Sequence, residues 1–139
     1  MRTEILDNCW LEDLSVKGDH RGRLISLEGD RNVPFAIERI YYIYGTDSAT
    51  ERGFHAHVAL QQLAVCVSGR CTMRLDNGRD RRDVVLNRPD QAIYIGSMIW
   101  REMRDFTPDC VLMVLADARY DEGDYIRDYD RFMALVKEQ

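Results

Sequence analysis

The chain has 139 residues, 45% of them hydrophobic and 31% charged, with a formal net charge of −5. That length suits one domain, spanning 1–139, with a core that needs no disulfide or structural metal, and the composition excludes a disordered chain. The acidic balance argues against a nucleic-acid partner held by general phosphate attraction, and the lack of an apolar run near ~18 residues argues against a membrane-spanning helix.

The first residues, Met1-Arg2-Thr3-Glu4-Ile5-Leu6-Asp7, lack the apolar stretch of a signal peptide, so a soluble, cytoplasmic protein is expected. Strand-like runs rich in Val, Ile, Tyr and Leu then follow one another: Arg23–Leu27, Ile37–Tyr44, Gly53–His57, Gln62–Ser68, Cys71–Asp76, Arg81–Leu86, Ala92–Ile95, Ile99–Phe106 and Cys110–Ala116. Asp76-Asn77-Gly78 predicts a hairpin with a type I′ turn, and Ser68-Gly69 predicts another hairpin. After Asp124 the apolar residues Tyr125, Ile126, Tyr129, Phe132, Met133 and Val136 fall at helical spacing, which predicts a C-terminal helix capped by Asp124. The fold class expected is all-β, an antiparallel barrel or jelly roll with one short C-terminal helix. Cys9, Cys66, Cys71 and Cys110 form no C-x-x-C pair and read as buried free thiols.

Three histidines are present, and two of them stand in Arg52-Gly53-Phe54-His55-Ala56-His57. Alternate residues of a strand share a face, so His55 and His57 project together. Such a pair can be a metal half-site, an acid–base pair or two structural histidines. The metal reading lacks support: no carboxylate follows in Val58-Ala59-Leu60-Gln61-Gln62, and the later segment Ile99-Trp100-Arg101 offers arginine, which does not ligate metals. No metal and no cofactor are therefore expected. Arg39 and Tyr41 share a face of their strand by the same parity. Arg52 and Arg74 are further candidate anion ligands, since a guanidinium matches phosphate oxygens. Trp100 and Arg101 are neighbours on one strand and face oppositely unless a bulge intervenes. Gln62 is a polar candidate without an independent signal.

Taken together, Pro34-Phe35-Ala36-Ile37-Glu38-Arg39-Ile40-Tyr41-Tyr42-Ile43-Tyr44, Arg52-Gly53-Phe54-His55-Ala56-His57, Leu75-Asp76-Asn77-Gly78, Ile99-Trp100-Arg101-Glu102-Met103-Arg104-Asp105-Phe106, Val114-Leu115-Ala116 and Asp124-Tyr125-Ile126-Arg127-Asp128-Tyr129 resemble the nucleotide-sugar 3,4-ketoisomerases. The resemblance runs from about Asp19 to Phe132. It implies a cupin-fold enzyme acting on dTDP-4-keto-6-deoxyglucose without a metal. It implies a homodimer, often with an N-terminal strand exchanged. It also implies that His55 and His57 are active-site histidines and that Arg39, Tyr41 and Arg52 line the pocket. Two departures stand out: Arg101 replaces a histidine the family commonly has, and Val58 replaces a lysine.

The expected reaction moves a ketone from C4 to C3, the step before a 3-amino-3,6-dideoxy sugar. His57 is expected to carry the carbon proton, with His55 assisting and Tyr41 steadying the oxyanion. Arg39, Arg52 and Arg74 are expected to hold the pyrophosphate, and Gln62, Trp100 and Arg101 to touch substrate. The alternatives are a related nucleotide-sugar cupin such as a 3,5-epimerase and a non-catalytic nucleotide-sugar binding module.

Overall fold

In the computed structural model, which describes residues 1–139, two antiparallel sheets face each other. The first has the order β1(Arg2–Leu6)–β2(Cys9–Asp13)–β10(Gln91–Ile95)–β7(Gln62–Ser68)–β12(Val111–Ala116)–β5(Arg39–Ile43). The second has the order β13(Tyr125–Ile126)–β6(Arg52–His57)–β11(Trp100–Arg104)–β8(Cys71–Asp76)–β9(Arg81–Leu86). The hydrogen-bonded ladders do not close on each other, so the all-β expectation resolves to a jelly-roll sandwich rather than a closed barrel. Alternate residues of each strand point between the sheets. Ala64, Cys66, Ile93, Leu112 and Val114 from one sheet meet Met73, Leu75, Val84 and Met103 from the other in the main core.

A second core lies on the outer side of the six-stranded sheet, where the irregular stretch from Ile25 to Ile37 crosses Leu63, Val65, Tyr94 and Leu115. A third lies on the outer side of the other sheet, under helix α1 (Tyr129–Lys137), whose Phe132 is fully buried against Ala56, Trp100 and Ile126. A separate hairpin of β3 (Lys17–Asp19) and β4 (Gly22–Leu24) joins neither sheet, and every residue in it is exposed.

The structure corrects several local expectations. Strands β1 and β2 were not predicted; they join through Asp7-Asn8, with Asn8 at φ 65°. The strand expected over Arg23–Leu27 is regular only to Leu24, and Ile25 and Leu27 pack instead on the outer core. The hairpin at Asn77-Gly78 exists, but Asp76 pairs with Arg81 across a four-residue loop. Only Gly78 there has positive φ, and the Asn77 side chain accepts from the Arg79 and Asp80 amides, so no type I′ turn forms. Ser68-Gly69 is a corner rather than a hairpin, carrying the chain from one sheet to the other. Asp124 does not cap the helix. Asp128 does, its carboxylate accepting from the Arg131 amide.

Candidate active site

The site forms where β5, β6, β7, β11 and β13 meet at one end of the sandwich. Its centre is the histidine strand. Gly53 (φ 90°) and Phe54 (φ 58°) break the β6–β11 register, so that Arg101 pairs with His55 while Glu102 pairs with Gly53. The bulge brings the Gly53 carbonyl to 3.1 Å from His55 Nδ1. A carbonyl only accepts, so His55 holds its proton on Nδ1 and presents a lone pair at Nε2.

His55 and His57 lie on the same face, their ring centroids 4.9 Å apart. The second ring is fully buried, with Nδ1 3.2 Å from Asp124 Oδ2 but out of hydrogen-bond alignment. That carboxylate is fixed by the Ala59 and Leu60 amides at 2.9 and 3.2 Å. Its charge favours the proton of His57 on Nδ1 as well. Tyr125, brought in by the β13–β6 pairing, sets its ring edge-on to His57 at 4.3 Å and tilted over His55 at 4.9 Å.

Arg101 lies beneath the two imidazoles, 2% exposed. It donates to Gln62 Oε1 and, at 2.9 Å, to the Ile99 carbonyl. Gln62 Nε2 donates in turn to the Tyr41 hydroxyl at 3.1 Å. The phenol accepts there, so its own proton is free to be given elsewhere. Burial, and then the Arg101 charge, push His55 down to about 4 and His57 down to about 2. Both rings are therefore neutral at physiological pH. Burial lowers Arg101 itself to about 10, which leaves it cationic at neutral pH. Burial also raises Tyr41, keeping the phenol protonated.

Arg39 stands at the entrance, its guanidinium 5.4 Å from the Tyr41 ring and 5.7 Å from that of Tyr120, with Nε buried and unpaired. It lines a cavity of about 220 Å³ together with His57, Leu60, Arg119, Asp124 and Tyr125. A buried donor without a partner costs stability unless a ligand supplies the acceptor. Arg52 is exposed at the start of β6 and makes no ion pair.

Two expected site residues lie elsewhere. Trp100 faces away from the cavity, buried beneath α1 with its ring 5.2 Å from that of Tyr129, and donates to Glu102 at 3.0 Å. Arg74 is on that same outer face, paired with Asp83 at 2.9 Å and opposite Glu102 in register. Strand parity puts Trp100 and Arg101 on opposite sides, and the arginine is the inward one. Conversely, the sequence offers Asp124 only as a helix cap and Tyr125 only as part of an apolar stripe, with no place in the site for either. The signal available was the Asp124-Tyr125-Ile126-Arg127 motif, hidden by its resemblance to the start of a helix. The two imidazoles meet no third ligating side chain in a compact set; the cluster of three such side chains is Cys66, Cys71 and Cys110, remote from this site.

A family model described as "FdtA: WxcM-like, C-terminal" matches residues 7–137. The chain belongs to this family. A curated relative, the TDP-4-oxo-6-deoxy-alpha-D-glucose-3,4-oxoisomerase of Aneurinibacillus thermoaerophilus, is 48% identical over 118 residues, 85% of each chain. Among solved structures, a 3,4-ketoisomerase from Helicobacter canadensis is similar at TM-score 0.91 and 43% identity, covering 94% of this chain and 98% of the other. A histidine-to-asparagine mutant of the 3,4-ketoisomerase QdtA from Thermoanaerobacterium thermosaccharolyticum, in complex with TDP-4-keto-6-deoxyglucose, is similar at TM-score 0.94 and 40% identity, covering 97% and 98%. Membership of the family agrees with the resemblance read from the motifs, and the jelly-roll fold is the one these relatives share with this chain.

Proposed function

We propose that this protein is a sugar 3,4-ketoisomerase that converts dTDP-4-keto-6-deoxyglucose into the 3-keto-6-deoxyhexose, in the route to 3-amino-3,6-dideoxy sugars. The observation that carries the reading is a pair of neutral imidazoles on one face, over a buried arginine and beside a phenol whose proton is free.

The reaction needs a base for the C3 proton, a donor for the enediolate oxygen and a proton returned to C4. Both rings hold the proton on Nδ1 and present Nε2, so the tautomer does not divide the roles; exposure and basicity do, and they favour His55 as the carbon base. It is the less deeply buried ring and the stronger base of the two. His57, held beside Asp124, suits the transfer of the oxygen-borne proton from O3 to O4. Tyr41 donates to the developing oxyanion, and the Arg101 cation below lowers the cost of that negative charge. As C3 gives up its hydrogen to His55, the C3–H electron pair becomes the enediol double bond and the C4 carbonyl pair moves to oxygen. Collapse from O3 then makes the new carbonyl while C4 takes the proton back.

A cavity of about 220 Å³ falls below the ~300 Å³ at which sites for larger ligands begin, so it suits the sugar ring alone. The diphosphate then reaches the entrance, where Arg39 and Arg119 carry positive charge not bound in ion pairs, and we extend a phosphate contact to Arg52, exposed at the start of β6. We do not extend a substrate contact to Arg74 or Trp100.

The protein also suits a homodimer. The outer face of the six-stranded sheet presents Ile40, Tyr42 and Tyr44 at 58%, 64% and 72% exposure. Tyr42, Met113 and Val65 stand in one row across three strands, beside an apolar groove of about 610 Å³. The fully exposed β3–β4 hairpin is the element suited to exchange between copies.

The test is an NMR time course with dTDP-4-keto-6-deoxyglucose in heavy water. A 3-keto product carrying deuterium at C4, with exchange at C3 of recovered substrate, is expected. Uptake at C5 points to an epimerase, and dTDP binding without turnover points to a binding module; either result overturns the reading.

A further inference from the structure

At the end of the sandwich away from the histidines, β7, β8 and the approach to β12 bring three thiols together. Cys66 is four residues along β7 from Gln62, roughly 13 Å at the rise of a strand. The sulfurs of Cys66, Cys71 and Cys110 all lie within 4.8 Å of one another, and those of Cys66 and Cys110 are 3.7 Å apart. Each side chain is at most 1% exposed, and none is in a disulfide. No part of the isomerase chemistry uses them.

We propose that Cys66, Cys71 and Cys110 form a three-sulfur binding site for a soft, thiophilic centre, of which trivalent arsenic is the best-fitting class. A centre bonded to three sulfurs at about 2.3 Å holds them on the order of 3.5 to 4 Å apart, so the free thiols already stand near the bound arrangement. The set contains no imidazole and no carboxylate, which selects for soft partners. Zinc is a poorer fit. It seeks a fourth ligand, and three thiolates around a divalent ion leave a net negative charge in a buried place where Asp109 is a near neighbour of the Gly69 corner. Trivalent arsenic avoids both costs. Arsenous acid, As(OH)₃, reacts with three S–H groups to form three As–S bonds and release three waters, with no change in oxidation state and no net charge. The thiols are flanked by the Ser68-Gly69-Arg70 corner, whose Ser68 and Gly69 carbonyls accept from Cys66, and by the turn at Thr107–Cys110, the two joined by hydrogen bonds between Arg70 and Thr107. Those two loops must part for entry, so binding should be slow and should speed up in mild denaturant.

The probe is arsenite, added to the purified full chain. Native mass spectrometry should find one arsenic replacing three hydrogens, and titratable thiols, counted under denaturing conditions, should fall from four to one. Thermal midpoint should rise with arsenite concentration, and Zn²⁺ at equal concentration should leave it unchanged. Cys66→Ala and Cys110→Ala should each weaken binding by at least about tenfold, while Cys9→Ala retains it. Four free thiols at saturating arsenite, or an adduct of unchanged affinity in Cys66→Ala, overturns the proposal. The thiol count on the unmodified chain decides the matter even where a variant fails to fold.

Discussion

His55 and His57 differ in what holds them, and that difference is testable residue by residue. With the carbon base at His55, His55→Asn should lose turnover by about three orders of magnitude while dTDP affinity, measured by calorimetry, changes little. His57→Asn should retain measurable exchange at C3. Loss of exchange only in His57→Asn reverses the roles. The pH profile follows from the same environment. A base must be neutral to act, so kcat/KM falls as pH drops through its pKa. With His55 lowered to about 4, first by burial and then by Arg101, the acid limb should lie near pH 4 instead of the usual imidazole position of about 6.5. Arg101→Gln removes the charge but keeps the burial, so the limb should move part of the way up; a limb that stays fixed denies Arg101 that influence. The histidine pair, Arg39 and Tyr41 were legible in sequence because parity along a regular strand fixes which side chains share a face. Parity alone does not say which face is inward. That is why Trp100 and Arg74 were assigned to a cavity that strand pairing turns them away from.

The element that sets the catalytic geometry is the bulge at Gly53-Phe54. A Cβ at Gly53 would meet the Arg101 carbonyl at 2.9 Å, and its φ of 90° disfavours any side chain. Gly53→Ala should therefore cost on the order of 1–3 kcal/mol in a urea melt and lower kcat more than dTDP affinity, because the carbonyl that sets the His55 tautomer moves. An unchanged melt and turnover refutes the role given to the bulge. At this scale the sequence was readable where strands are long and apolar, as in β7 and β12, and misleading where one segment serves two elements. Tyr125 and Ile126 keep the helical spacing of α1 yet pair with His57 and Ala56 as a strand. Asp124 accepts from the Ala59 and Leu60 amides and so is not the helix cap. Strands β1 and β2 are hard to read from the sequence because each has a single buried residue: three of five positions in β1 are exposed and three of five in β2 are half-buried, so neither shows a clear alternation.

Two properties belong to the whole molecule, and the first is acid stability. The unfolded chain binds protons on its histidines near pH 6.5, while the folded chain leaves His55 neutral down to about 4 and His57 down to about 2. Over that window the unfolded state holds more protons, so stability must fall as pH falls. The slope is up to about 1.4 kcal/mol per pH unit for each histidine. Urea midpoints measured between about pH 4.5 and 6.5 should follow this fall, and His57→Asn should flatten it by roughly half.

The second is assembly, which a single chain announces through what it leaves uncovered. The irregular stretch from Ile25 to Ile37 covers part of the outer face of the six-stranded sheet, but the row through Tyr42 and Met113 and the exposed Ile40 and Tyr44 continue past it. Edge strand β5 thus carries apolar side chains outward beside an open groove, and contiguous patches of that kind mark interfaces rather than monomer surface. Sedimentation at micromolar concentration should give twice the chain mass. In the proposed dimer, the double change Ile40→Glu and Tyr42→Glu would place two charges in the contact, and should yield monomer. Because both positions are exposed in the single chain, its thermal midpoint at low concentration should match that of diluted, dissociated parent protein. A parent that sediments as monomer, or a double variant that remains dimeric, removes this face from the assembly. Turnover supplies a second reading from the same variant. Full activity in the monomer means that each site is complete within one chain, whereas lost activity at an unchanged thermal midpoint means that the partner copy completes the site, with the β3–β4 hairpin, hydrogen-bonded to neither sheet, as the candidate element.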